Sequence, residues 1–121
     1  MTKIRLLVAS LAMASASAMA QDCTAPAVPT LPDGATASYD DMIAGQGAVK
    51  AFQAANLEYM NCIEPMINEA LSAAQAEGAS DADKAKVQAL EEAYNAAVSA
   101  EEDLAGKFNG AIRAYKEANP G

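Results

Sequence analysis

The sequence predicts an all-α protein: an antiparallel helical hairpin with an extended Pro-rich N-terminal arm tied back by a disulfide. Three observations predict this fold. Two long segments repeat apolar residues at alternating steps of three and four, which is the spacing of one helix face. Each segment follows a Ser-x-x-Asp sequence, which is typical of a helix N-terminus. Two cysteines, Cys23 and Cys62, connect the region before the helices with the first helix.

Residues 1–20 have the three parts of a secretory signal peptide. Two basic residues open the segment, an apolar run follows at residues 6–14, and Ala18-Met19-Ala20 supplies small residues for cleavage before Gln21. The apolar run is shorter than the ~20 residues that cross a bilayer, so it does not indicate a membrane anchor. We therefore expect an exported protein of the periplasm whose mature chain begins near Gln21.

The mature chain is strongly acidic. The whole sequence has 8 basic and 16 acidic residues and a formal net charge of −8. Removing the signal peptide removes Lys3 and Arg5, which leaves six basic against sixteen acidic residues and a formal charge of −10. Such a surface repels phosphate backbones and anionic lipid headgroups, so we expect no nucleic-acid partner and no attachment to acidic membranes. It is compatible with a basic partner, with a cation, or with solubility alone.

The arm occupies residues 21–37. Its prolines have the three-residue spacing of a polyproline II helix, and a Pro-Asp-Gly turn ends it. These prolines are Pro26, Pro29 and Pro32. In an exported protein the pair Cys23 and Cys62 predicts a structural disulfide, and the absence of a C-x-x-C unit argues against a redox-active dithiol. Closing a loop of this length stabilises a fold by ~4 kcal/mol in the chain-entropy model.

Residues 38–121 are predicted to form the hairpin. The first helix is expected at about 38–77 and the second at about 80–118, and the short connection between them makes them antiparallel. Pro65 lies inside the first helix. Its ring collides with the carbonyl four residues earlier, so we expect a kink or a division of the helix at this point.

The short connection also fixes which residues of the two helices lie opposite each other. Large apolar residues then meet along the seam, for example Tyr59 with Val98. Asn56 and Glu101 fall at the same level of the seam. A polar layer there would fix the register at some cost in stability. The alternative is that each side chain turns to solvent at the edge of the seam.

The two flanks of the first helix differ in residue size. Small residues on one flank favour docking of the arm, with Val28 and Leu31 placed on the hairpin. These small residues are Ala44, Ala48, Ala51 and Ala55, which lead to Cys62. The opposite flank carries a strip of large apolar residues: Leu57, Met60, Ile67 and Leu71.

An uncovered strip of this kind predicts an interaction surface. A homodimer that forms a four-helix bundle is the simplest interpretation, and another exported protein is the alternative. In a third interpretation, Pro65 bends the helix and folds Ile67 and Leu71 inward.

No residue pattern indicates catalysis. The chain has no His, which removes the commonest general base and metal ligand. Adjacent acidic residues, such as Glu91 and Glu92, point about 100° apart on a helix and do not converge as a catalytic dyad would. We therefore predict that the protein is not an enzyme and has no catalytic residue, no metal site and no cofactor.

The arm and the first helix together resemble a known group of proteins. The pattern Cys-x-x-Pro-x-x-Pro-x-x-Pro-Asp-Gly of residues 23–34, followed by Tyr59-x-x-Cys62, resembles small exported proteobacterial proteins of unknown function. It covers roughly half of the mature chain. The resemblance implies a periplasmic setting and supports pairing of Cys23 with Cys62, and it implies no activity.

The sequence gives no evidence for catalysis, nucleic-acid binding or membrane attachment, so the remaining classes of function are binding and structural roles. The expectation is a periplasmic, non-enzymatic protein-interaction or structural module. The alternative is a carrier for a small ligand or a cation.

Overall fold

The computed structural model describes residues 23–121. Helix α1 spans Tyr39–Gln75 and helix α2 spans Asp81–Ala118, and the described residues contain no strand. The helices pack against each other along their lengths, and an extended arm precedes them. The predicted all-α hairpin is thus confirmed. The predicted signal peptide, residues 1–20, lies outside the described residues.

Both helices begin with a capping box. The hydroxyl oxygen of Ser38 accepts a hydrogen bond from the backbone N–H of Asp41 at 3.1 Å, and the Asp41 carboxylate accepts one from the backbone N–H of Ser38 at 3.1 Å. Ser80 and Asp83 repeat this arrangement at 3.2 and 2.9 Å. Hydrogen bonds from the backbone and hydroxyl groups of Ser80 lower the pKa of Asp83 below its ordinary value. Each box satisfies N–H groups that have no partner inside the helix.

Helix α1 ends at Gln75, two residues earlier than predicted. Residues 76–80 then reverse the chain, helped by a hydrogen bond from the N–H of Ala79 to the carbonyl of Ala76 at 3.1 Å. Gly78 has a φ of +83°, a conformation that side chains with a Cβ rarely adopt. The connection is therefore longer than the sequence indicated, but it turns the helices antiparallel as expected.

Pro65 lies within α1 and does not divide it, because residues on both sides are helical. The proline itself is exposed. Ile63 and Ala70, on either side of it, are buried at 2% and 4% exposure. Packing before and after the proline outweighs the one backbone hydrogen bond that proline cannot donate. Of the two predicted effects of Pro65, division of the helix is therefore wrong.

The core is small and lies toward the open end of the hairpin. Its main cluster consists of five buried residues: Met42, Val49, Phe52, Leu104 and Phe108. Ala97, at 6% exposure, continues the seam in α2, whereas Val98 next to it is 36% exposed. The predicted seam position of Val98 is wrong, because neighbours on a helix point about 100° apart and Ala97 takes the inward position.

Candidate functional site

The arm is fixed at its start by the disulfide. The Cα atoms of Cys23 and Cys62 are 5.7 Å apart, which confirms the predicted pairing. The sulfur of Cys23 also lies 3.5 Å from the sulfur of Met66. Because Cys23 carries no S–H in the disulfide, this is a van der Waals contact. The arm therefore starts beside the middle of α1 and runs back toward its N-terminus.

Small residues make room for the arm between the helices. The first part of the arm, Ala25 and Pro26, shares a groove with Phe52, Asn56 and Tyr59 of α1. The α2 side of this groove is formed by four alanines: Ala93, Ala96, Ala97 and Ala100. An extended backbone fits closely over such a surface because no long side chain holds it away.

The later part of the arm contacts both helices where glycines allow it. A Cβ on Gly45 of α1 would lie 2.9 Å from Cδ of Pro32 and 3.3 Å from Cε2 of Phe108. A Cβ on Gly34 would overlap the carbonyl oxygen of Ala111 in α2 and lie 2.7 Å from its carbonyl carbon. Gly34 and Gly45 are both buried. The arm therefore passes closer to the helix backbones than any residue with a side chain would permit.

The arm lies only partly where the sequence predicted it, which was on the alanine flank of α1. Ala44 and Ala48 share a pocket with Leu31, and Ala55 shares one with Cys23. The alanines of α2 also take part, so the arm lies between the helices and not on α1 alone. Leu31 packs against the core as expected, whereas Val28 leaves 55% of its surface exposed.

Asn56 and Glu101 meet within the seam. Asn56 is only 2% exposed, and its side-chain nitrogen donates to the carbonyl of Ala97 at 2.9 Å and to the carboxylate of Glu101 at 3.2 Å. Glu101 is half-buried. The structure therefore brings together the two residues of the predicted polar layer. The two hydrogen bonds join α1 to α2 at one level. That they fix the register of the hairpin stays a prediction.

The side of the hairpin opposite the arm has no cover within the described residues. We call this side the open face. Leu57 is 56% exposed, Ile43 is 48% exposed and Val98 is 36% exposed, although all three are large and apolar. On a helix, Ile43 and Leu57 lie on the same flank because two heptads separate them. This flank is the one on which the sequence predicted an interaction surface.

The predicted strip is not evenly exposed. Met60, Ile67 and Leu71 are half-buried, whereas Leu57 is exposed. At 100° per residue the three half-buried residues lie nearer to the seam than Leu57 does. Met60, Ile67 and Leu71 thus form the edge of the open face that lies nearest to the seam, and Leu57 lies at the centre of the face.

A shallow apolar depression of about 250 Å³ ends the open face at the termini of the hairpin. Its lining combines aromatic and aliphatic side chains with one lysine: Tyr39, Met42, Ile43, Gln46, Phe108, Ile112, Tyr115 and Lys116. Sequence reasoning missed this depression. The heptad spacing from Leu57 back to Ile43 was the signal that could have extended the predicted surface to it.

The described residues contain neither a cluster of metal ligands nor a helix that could cross a membrane. Among residues 23–121, no three His, Cys, Asp or Glu side chains lie close enough to hold a metal ion. Neither helix of this range combines the length and hydropathy that a bilayer crossing requires.

Comparisons with protein-family models, with curated proteins and with solved structures give no match for this chain. The resemblance to small exported proteobacterial proteins therefore stays a prediction.

Proposed function

We propose that the protein is an exported, non-enzymatic module that acts by binding protein through its open face. The observation that carries this proposal is the exposure of Leu57, at 56%, in the middle of a face that also exposes Ile43 and Val98. Burying such side chains in a partner removes apolar area from water at about 25 cal/mol per Å². Leu57 and Val98 lie at one level of the two helices, and exposed large apolar side chains that are grouped in this way are typical of an interaction site.

The contrast between the two faces supports the proposal. The hairpin has its own cover on one side, where the arm lies and the disulfide holds it. On the other side, large apolar side chains of both helices are exposed. Since the chain is short and its core is small, a partner on that side would also add to its stability.

Site-specific crosslinking in cells tests this function. A photoreactive amino acid at position 57 lies on the open face, and the same amino acid at position 51 provides a matched control. Ala51 is also exposed but lies about 120° around α1 from Leu57, outside the open face. We expect protein adducts from position 57 and none from position 51. If the exported, oxidised protein gives no adduct from position 57, the proposed function is wrong.

A second candidate function is favoured by the apolar depression. Its volume of about 250 Å³ and its wholly apolar lining suit a short acyl chain or an aromatic ring, and Lys116, whose side chain contributes to the lining, carries the charge that an anionic head would require. Thermal unfolding with and without octanoate measures this. A rise in melting temperature that Ile112→Glu abolishes would support a carrier, and no rise at millimolar octanoate would exclude this ligand class.

A further inference from the structure

We propose that the open face binds a second copy of this chain, with α1 of one copy antiparallel to α1 of the other about a two-fold axis at Leu57. This inference rests on the proposed function and names its partner. Three properties of the face support it: the order of residues along α1, the position of its charges, and its area.

The residues on the open flank of α1 form a series that would match a second, antiparallel copy of itself. They recur at every seventh position, so they lie in one row along the helix. The series is Ile43, Lys50, Leu57, Glu64 and Leu71. Reversing it about Leu57 places apolar residues opposite apolar residues and a lysine opposite a glutamate. An antiparallel pair of α1 helices would therefore form the Lys50–Glu64 pair twice and the Ile43–Leu71 contact twice.

Two further pairs beside this row follow the same symmetry. Reversal about Leu57 also places side-chain amides opposite each other, and amides can donate to and accept from one another. These pairs are Gln46 with Asn68 and Gln53 with Asn61. The match between the series and its reverse thus extends along most of α1.

Lys50 and Glu64 are the charged residues that α1 presents on this flank. The other charges of α1 are acidic and project toward the arm or away from the hairpin: Asp40, Asp41, Glu58 and Glu69. A strongly acidic chain repels its own copies wherever its charges meet. On the open flank of α1 the charges cancel, so two copies can approach there. A basic partner would instead be expected to bind where the acidic residues are concentrated.

The charges also distinguish between the two symmetric ways of stacking the hairpins. In the alternative, α1 of one copy lies over α2 of the other at the same level. The hydrogen bonds of Asn56 to Ala97 and Glu101 define these levels. Glu64 would then lie within about one helical turn of Glu91 in the second copy, and like charges would oppose each other. The arrangement about Leu57 places Lys50 opposite Glu64 instead, twice. On the α2 side it brings Glu91 within about one helical turn of Glu102 in the second copy, so the two Lys50–Glu64 pairs are what favour it over the alternative.

The face is large enough for a stable dimer. A helix of 37 residues is ~55 Å long, and two packed helices are ~20 Å wide, which gives roughly 1,000 Å² per copy. Standard protein interfaces bury about 800 Å² per partner. Val98 lies level with Leu57 and exposes its side chain on the same face, so both helices would contribute at the centre.

Charge exchange tests the arrangement. Sedimentation equilibrium of the oxidised mature chain should give a dimer, and Lys50→Glu and Glu64→Lys should each raise its dissociation constant roughly tenfold, because each substitution acts twice. The double variant should restore the constant to within about twofold of the wild type. Lys50 and Glu64 are fourteen residues apart on one helix, or ~21 Å, so restoration cannot arise within one chain. Both side chains are exposed, so we expect the variants to fold.

A second readout locates the axis. Leu57→Cys should form a disulfide-linked dimer under mild oxidation, whereas Ala51→Cys should not. A chain that remains monomeric at millimolar concentration would overturn the inference, as would a dimer that the single substitutions do not weaken or the double variant does not restore. If the chain is monomeric but still gives adducts with another protein from position 57 in cells, only the inference that the partner is a second copy would be refuted. Monomers without any such adduct would refute the proposed function too.

Discussion

Gly45→Ala and Gly47→Ala make a matched test of whether the arm is packed against α1. Both glycines lie within the first turns of the helix, and alanine is favoured over glycine in a helix interior by about 1 kcal/mol. A Cβ at position 47 meets no atom within 4 Å, so Gly47→Ala should stabilise the protein by about 0.5–1 kcal/mol. The same change at position 45 has a different outcome.

At Gly45 the added methyl group would lie 2.9 Å from Cδ and 3.1 Å from Cγ of Pro32, and 3.3 Å from Cε2 of Phe108. Carbon atoms in optimal contact are about 3.5–4.0 Å apart, so the proline ring and the arm must move. Overpacking of this kind costs about 1–3 kcal/mol. We therefore expect Gly45→Ala to be about 1–3 kcal/mol less stable than Gly47→Ala.

Urea unfolding followed by circular dichroism at 222 nm, with the disulfide intact, gives both free energies. The wild type provides the reference for each variant. If Gly45→Ala is as stabilising as Gly47→Ala, then Pro32 does not pack on this helix and the described path of the arm is wrong.

Three other predictions concern the arm, the seam and the second helix cap. Gly34→Ala should lower the free energy of unfolding by about 1–3 kcal/mol because its Cβ has no room, whereas Gly106→Ala, with nothing within 4 Å, should not lower it. A double-mutant cycle of Asn56→Ala and Glu101→Ala should give a coupling energy of about 0.5–1.5 kcal/mol, and a value of zero would refute the polar layer. The lowered pKa of Asp83 means that its carboxylate stabilises the fold above the ordinary value of 3.8 and that this contribution is lost as pH falls through the lower folded pKa. The melting temperatures of wild type and Asp83→Asn should therefore differ at pH 7 and converge near pH 2.

The sequence was sufficient for the parts of the fold that depend on local patterns. Ser38 and Ser80 start the two helices because their capping boxes satisfy N–H groups within four residues of chain. The three-and-four spacing indicated the buried side of α1, from Met42 to Ala70. The approximate register followed from the short connection, so Asn56 could be paired with Glu101 from the sequence.

What the sequence could not indicate depends on distances between separate elements. Gly34 was predicted as a turn residue, but its place against the backbone of Ala111 depends on how the arm lies across α2. Val98 was predicted in the seam opposite Tyr59, yet Ala97 takes the inward position and lines the groove that holds the arm. The depression near Tyr39 forms where the two helix ends meet, so the spacing along α1 could indicate Ile43 but not the contribution of Phe108 and Tyr115 from α2.

Residue size explains why the arm covers one face of the hairpin and not the other. The arm face carries alanines on both helices and glycine at position 45, so an extended chain can lie against the helix backbones. The open face carries side chains as large as Leu57 and Val98 on neighbouring helices. An extended chain cannot fill the spaces between such side chains, but the side chains of another pair of helices can interdigitate with them. The arm face therefore accommodates a segment of the same chain, whereas the size of the side chains on the open face supports the proposal of a helical partner there.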